Sequence, residues 1–170
     1  MPGRAVLLTG SLASGKTAVV QEMVAIAKDL GLRAAAIDLD WLGWATGPTI
    51  GLDELIARNL SAVAGNYAAA GIDRLVLARA IVDSSGLQVI AEALRDWDLT
   101  VVRLDAPRAV LEQRIRERDS GAELRDHLAE LDEMTRKVTA AVPGAPVVVN
   151  DGRELGDVAR DVMRAAGWIG

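Results

Sequence analysis

The chain has 170 residues, enough for one domain with a substantial core, and its net charge of −5 and pI near 4.9 argue against a broad nucleic-acid or anionic-membrane surface. It has no cysteine, which excludes disulfides, thiolate metal sites and a cysteine nucleophile. Met1 to Thr9 is too short for a signal h-region, and no apolar run approaches the about 18 residues of a membrane span, so the sequence reads as a cytoplasmic, unexported protein.

Ala5 to Thr9 is a short apolar run that reads as a buried strand, and Ala18 to Leu30 carries apolar residues at helical spacing up to Gly31, a C′ residue. Arg33 to Asp38 predicts a second strand, and the Gly- and Trp-rich stretch Leu39 to Gly51 a loop. Asp53 is the expected N-cap of a helix to about Ala70. A third strand is expected within Arg74 to Val82, then a helix capped by Ser84 or Ser85 and running through Arg95, then a strand over Thr100 to Leu104. Pro107, suited to N1, opens a helix to Arg118. After the break Asp119-Ser120-Gly121, a further helix carries Leu124, Leu128, Leu131, Met134 and Val138. Val147 to Val149 forms the fifth strand and Leu155 to Ala166 the last helix. Strands alternating with helices predict an α/β fold, a parallel sheet covered on both faces, since parallel strands need crossover connections.

Between the first strand and the first helix lies Gly10-Ser11-Leu12-Ala13-Ser14-Gly15-Lys16-Thr17, a match to the phosphate-binding P-loop pattern in its required context. Gly10 and Gly15 free the backbone to turn its N–H groups around phosphate oxygens, and the helix adds the positive end of its dipole. Lys16 brings a charge to the outer phosphates and Thr17 a hydroxyl to Mg²⁺. Asp38 and Asp40 end the second strand, where ligands of open α/β sheets bind, and a spacing of two puts both on one side if the backbone stays extended. One could support the metal and the other accept a proton; equally, they could be cap or loop residues.

On these residues the chain resembles the P-loop small-molecule kinases, a group that includes shikimate, gluconate and adenylylsulfate kinases and chloramphenicol phosphotransferase. The resemblance implies one P-loop kinase domain over 1–170, a single-domain P-loop NTPase fold of five parallel strands in the order 2-3-1-4-5, and a LID segment around 107–125. It implies ATP and Mg²⁺, a small-molecule acceptor, and Asp40 as acceptor-binding carboxylate or base, with metal support from Thr17 and Asp38. Arg114 and Arg118 match the LID arginines. They share one helix face, where a bound anion would relieve their repulsion, and a solvated face is the other reading. Asn150, Asp151 and Gly152 would flank the adenine by the same analogy.

Many P-loop enzymes carry an acid after the third strand, whereas this chain gives Leu75-Val76-Leu77-Ala78-Arg79-Ala80 with Asp83 four residues beyond Arg79; Arg79 either holds an acceptor anion or forms a structural charge pair. Trp41 and Trp44 could wall the acceptor pocket or pack in the core. His127, alone in a polar helical stretch, is expected at the surface. The lysines are Lys16, Lys28 and Lys137, so no guanine-specifying N-K-x-D motif exists and ATP is preferred over GTP. A nucleoside monophosphate acceptor and an ATP-binding regulatory switch with slow hydrolysis are the rival functions.

Overall fold

The computed structural model describes residues 2–170. Among them are five strands, β1 (Gly3–Gly10), β2 (Ala34–Asp38), β3 (Arg74–Ala78), β4 (Trp97–Asp105) and β5 (Val147–Val149). The helices are α1 (Lys16–Asp29), α2 (Leu39–Leu42), α3 (Leu52–Ala69), α4 (Ser84–Ala93), α5 (Arg108–Arg118), α6 (Gly121–Ala141) and α7 (Leu155–Ala165). The strands form one sheet in the order β2-β3-β1-β4-β5, with every pairing parallel, as the alternation of elements and the resemblance predict.

Successive side chains of β1 sort to opposite faces by the period of a strand. Val6 and Leu8 join α1 and α7 through Val19, Met23, Val158 and Val162. Ala5 and Leu7 join α3, α4 and the end of α6 through Ile56, Leu60, Ile90 and Ala141. A third cluster ties Leu111 and Ile115 of α5 to Leu131 of α6, with Leu12 and Ala13 of the β1–α1 turn packed against it. Burying Leu111 and Ile115 is worth about 1.5 to 3 kcal/mol each, which anchors the Arg-bearing helix beside that turn.

Several boundaries differ from the sequence reading. The stretch Leu39 to Gly51 is not all loop: its first residues form α2. Gly51, not Asp53, takes the N-cap of α3, leaving Asp53 in the first turn where the dipole favours its charge. Asp83 caps α4 in place of Ser84 or Ser85, its Oδ1 accepting from the Gly86 N–H at 2.8 Å. Pro107 is the N-cap of α5 rather than N1, since its extended ψ of 143° leaves Arg108 as the first helical residue. β3 lies within the expected Arg74 to Val82 and ends at Ala78, beyond which the Ile81 N–H turns to the Thr9 hydroxyl at 3.0 Å. β4 starts earlier than expected, at Trp97, because it pairs with β1 along all of the latter.

Candidate active site

The β1–α1 turn is held from three sides. Gly15, the N-cap of α1, has φ 96°, and Ala13 has φ 56°, so the turn holds two left-handed residues within three positions. Alternating backbone of this kind turns N–H groups toward a common concavity. A Cβ on Gly10 would meet the Leu104 carbonyl at 2.5 Å, and one on Gly15 would meet Asn150 Nδ2 at 2.4 Å. The buried Asn150 donates from Nδ2 to the Ser14 carbonyl at 2.9 Å. Arg114 donates to the carbonyls of Ala13 (3.3 Å) and Asn150 (3.0 Å), tying α5, β5 and the turn together. The Thr135 hydroxyl of α6 is shared between Ser11 Oγ and the Leu131 carbonyl, at 2.8 Å each.

Lys16 folds back over this turn and donates from Nζ to the carbonyls of Gly10 and Ser11 at 3.0 Å. Among the described residues no carboxylate oxygen lies within ion-pair distance of it. Burial pulls its ammonium down to about 8, against the opposing pull of Asp40 and Asp38. Beside it opens a cavity of about 340 Å³ lined by Ala13, Gly15, Lys16, Thr17, Ala18, Arg114 and Arg118. Three cationic side chains and a helix N-terminus converge there without an acid in the lining, an arrangement that favours a polyanion.

Asp38 and Asp40 do not share one side of an extended strand. Asp38 is the last residue of β2 and caps α2, its Oδ1 accepting from the Asp40 N–H at 3.0 Å. The chain turns helical at Leu39, so Asp40 projects from α2 while the other oxygen of Asp38 is left over. The Asp40 carboxyl is raised from its ordinary value by partial desolvation and then by the Asp38 charge, opposed by Arg79 and Lys16. Arg79 reaches Asp53 Oδ1 from Nη2 at 3.0 Å and Asp40 Oδ1 from Nε at 3.9 Å. Its guanidinium is therefore engaged by carboxylates of this chain. Trp41 and Trp44 are neither in the core nor apart: they stack at 4.6 Å with an interplanar angle of 25°, and are 66% and 75% exposed.

Arg118 is fixed from outside the cavity. Its Nε and Nη2 bind the two oxygens of Asp119 at 2.5 and 2.9 Å, and His127 Nδ1 meets Asp119 Oδ2 at 2.7 Å. Asp119 is buried, and Arg118 and then His127 hold its carboxyl well below the usual range. His127 is therefore half-buried against a carboxylate rather than a free surface residue. Glu123 lies close by, yet both Asp119 oxygens already serve Arg118, so the trio reads as a brace for that arginine. Neither Asp119 nor His127 had a signal in the sequence, since α5 and α6 meet only in the fold. Asn150, expected at the adenine, instead spends its amide on the turn; Asp151 and Gly152 follow in an exposed bend and do not line the cavity.

No protein-family model matches the chain, and no curated protein matches it in sequence. Solved structures do match in fold. An APS kinase of Mycobacterium tuberculosis, solved with AMPPNP and APS, superposes with a TM-score of 0.66 at 22% identity, covering 98% of each chain. A gluconokinase of Sinorhizobium meliloti gives 0.63 at 19% identity over 98% of this chain and 93% of its own. A tunicamycin resistance protein of Deinococcus radiodurans gives 0.60 at 17% identity over 97% of this chain and 96% of its own. The chain shares its fold with these proteins. Within it, the residues present suit a magnesium nucleotide: the cavity supplies cations for phosphate, while Thr17, exposed at its edge, and the spare oxygen of Asp38 are the oxygen donors a hard cation takes. Among the described residues no helix is long and apolar enough to cross a membrane.

Proposed function

We propose that the protein is an ATP-dependent phosphotransferase that moves the γ-phosphoryl group to a hydroxyl of a small molecule. The observation that carries this reading is the position of Lys16, which lines the phosphate cavity together with Arg114 and Arg118 and also feels the charges of Asp38 and Asp40. A cavity lined by cations and a candidate base thus meet at one ammonium. The shared fold with kinases of different small molecules supports the same class.

In this reading Gly10, Ser11, Leu12, Ala13, Ser14 and Gly15 wrap the triphosphate with backbone N–H groups, and Lys16 neutralises its outer oxygens. Thr17 and Asp38 would hold Mg²⁺, which when bound would draw charge from the phosphate oxygens. Asp40 takes the proton of the acceptor hydroxyl as that oxygen forms its bond to the γ-phosphorus. The bond from phosphorus to the bridging oxygen breaks, and ADP leaves with the electron pair. Arg114 and Arg118 stabilise the charge spread over the group in transit. Arg79 orients Asp40, and Trp41 and Trp44 border the acceptor. A cytoplasmic location would supply both ATP and Mg²⁺.

Incubating the protein with Mg²⁺, ATP and a set of alcohols should give one or more products heavier by a phosphoryl group, with matching ADP. Stimulation of ADP formation by a nucleoside monophosphate would redirect the acceptor to nucleotides. ADP release that only a protein partner stimulates, with no phosphorylated alcohol, would overturn the reading in favour of a switch.

A further inference from the structure

The acceptor side carries more information than the presence of a base. It is bounded by α2, the first turn of α3 and the end of β3. α2 is fixed on α3: Asn59 donates from Nδ2 to the Leu42 carbonyl at 2.7 Å, and a Cβ on the buried Gly43 would meet Leu52 Cδ1 at 2.7 Å and Ile56 Cδ1 at 2.8 Å. The Trp41–Trp44 stack is therefore presented by a firmly seated element, with both rings largely in water and Leu52 beside them 51% exposed. Of the four tryptophans, Trp168 is buried and Trp97 is packed against the core, so these two alone expose large aromatic area. An exposed aromatic pair that begins on the same short helix as Asp40 is a surface built to be covered by something flat or apolar.

Charge narrows what covers it. The carboxylates on this side include Asp38, Asp40, Asp53 and Glu54, with Asp83 also near Arg79. The arginine among them, Arg79, is shared by Asp53 and Asp40, and the neighbouring Arg58 is paired to Glu54 at 2.5 Å. Lys16 and Arg114, which have no carboxylate partner among the described residues, line the phosphate cavity instead. An anionic acceptor would meet more carboxylates than arginines and would have to displace Asp53 from Arg79. We propose that the acceptor is an uncharged or cationic alcohol bearing a ring or apolar face, which lies on Trp41 and Trp44 with its hydroxyl toward Asp40. This rests on the phosphotransferase reading for the fate of the hydroxyl, but the binding preference stands on the surface alone.

The test uses three benzyl alcohols that differ only in charge: para-aminomethyl benzyl alcohol, para-methoxybenzyl alcohol and para-hydroxymethyl benzoate, with gluconate as a ring-free anion. Binding is measured by ligand-observed NMR with Mg²⁺ and a non-hydrolysable ATP analogue present. The cationic and neutral members should bind about tenfold or more tighter than the benzoate and gluconate. Trp41→Ala with Trp44→Ala should abolish that binding and keep nucleotide affinity. Asp53→Asn, which releases Arg79, should raise the affinity of the benzoate relative to the neutral member by about tenfold. Equal or tighter binding of the anions, no measurable binding of any benzyl alcohol, or binding indifferent to both tryptophans would overturn the proposal. So would a wild-type dimer that the double Trp variant turns into a monomer, which would make the face a contact between two copies. The same alcohols are then given ATP. The predicted charge order without any phosphorylated product would sink the phosphotransferase reading and leave the site chemistry standing. Phosphorylation of an anion, unaffected by the Trp changes, would do the reverse.

Discussion

Lys16 is where burial and chemistry conflict. Its ammonium sits over the turn with carbonyl partners only, and burial lowers it to about 8. Below that pH it is charged in both folded and unfolded chains, so its desolvation cost is fully present; as pH rises from about 8 to the ordinary lysine value near 10.4, the folded chain loses its proton first and the cost is relieved. Lys16→Met should therefore stabilise the ligand-free domain at neutral pH by up to about 3 kcal/mol, a gain that vanishes above pH ~10, as denaturant titrations at several pH values would reveal. A phosphate beside the ammonium reverses the shift. Binding of ATP to the wild type at pH ~8 should then take up as much as about half a proton, seen by calorimetry in buffers of different ionisation enthalpy, and Lys16→Met should take up none. Uptake that persists in the variant would place the titrating group elsewhere. Asp40 makes a paired prediction. Asp40→Asn should cut transfer by roughly 10² to 10⁴ while leaving ATP affinity nearly unchanged. Because the Asp38 charge helps raise the Asp40 carboxyl, Asp38→Asn at saturating Mg²⁺ should move the acid limb of kcat/KM to lower pH. An unmoved limb would remove Asp40 from the role of base.

At the scale of elements, the β1–α1 turn is shaped by partners that come from far along the chain. Asn150 from the end of β5 and Arg114 from α5 fix its carbonyls, and Thr135 from α6 fixes Ser11. Asn150→Ala would leave the Ser14 carbonyl without its donor and should cost about 1 to 3 kcal/mol of stability together with weaker nucleotide binding. Unaltered affinity would make the latch dispensable. The sequence shows the turn itself because its glycines and lysine are local, and it shows the strands because buried runs of Val, Leu and Ile are local too. It does not show the latch, since nothing near Asn150 distinguishes an amide aimed at backbone from one aimed at a ligand. The extended reading of Asp38 and Asp40 fails for a related reason: the Asp38 side chain competes with the strand by capping a helix only four residues long, too short for periodicity to announce. Likewise the pairing of Arg118 with Asp119 and His127 needs the α5–α6 turn to be closed before it exists. Arg118→Gln with Arg114→Gln should lower the transfer rate more than ATP affinity, and an intact rate would reduce both to structural charges.

Across the whole molecule, the sheet order puts β1 between β3 and β4, so the turn after β1 separates an acidic, aromatic side under α2 and α3 from a cationic side under α5. The cationic side also ties together elements that pack in different places: α5 and α6 through the cluster of Leu111, Ile115 and Leu131, β5 through Asn150, and α1 through its first turn. On the proposed function, a nucleotide seated there would bridge these parts and bind only when all are in place, so its binding free energy would add to the stability of the entire domain. At a concentration of MgATP about a hundred times its dissociation constant, the gain is about 2.7 kcal/mol. For a chain of this size that corresponds to a rise in Tm of roughly 5 to 10 °C. Lys16→Ala should lose most of the rise at the same concentration, because it removes the central cation of the cavity. Trp41→Ala with Trp44→Ala should keep all of it, because neither ring lines the cationic cavity. If Lys16→Ala showed the full shift, the nucleotide would be held somewhere other than the β1–α1 turn; if the Trp variant lost it, the two sides of the turn would not be separable binding surfaces.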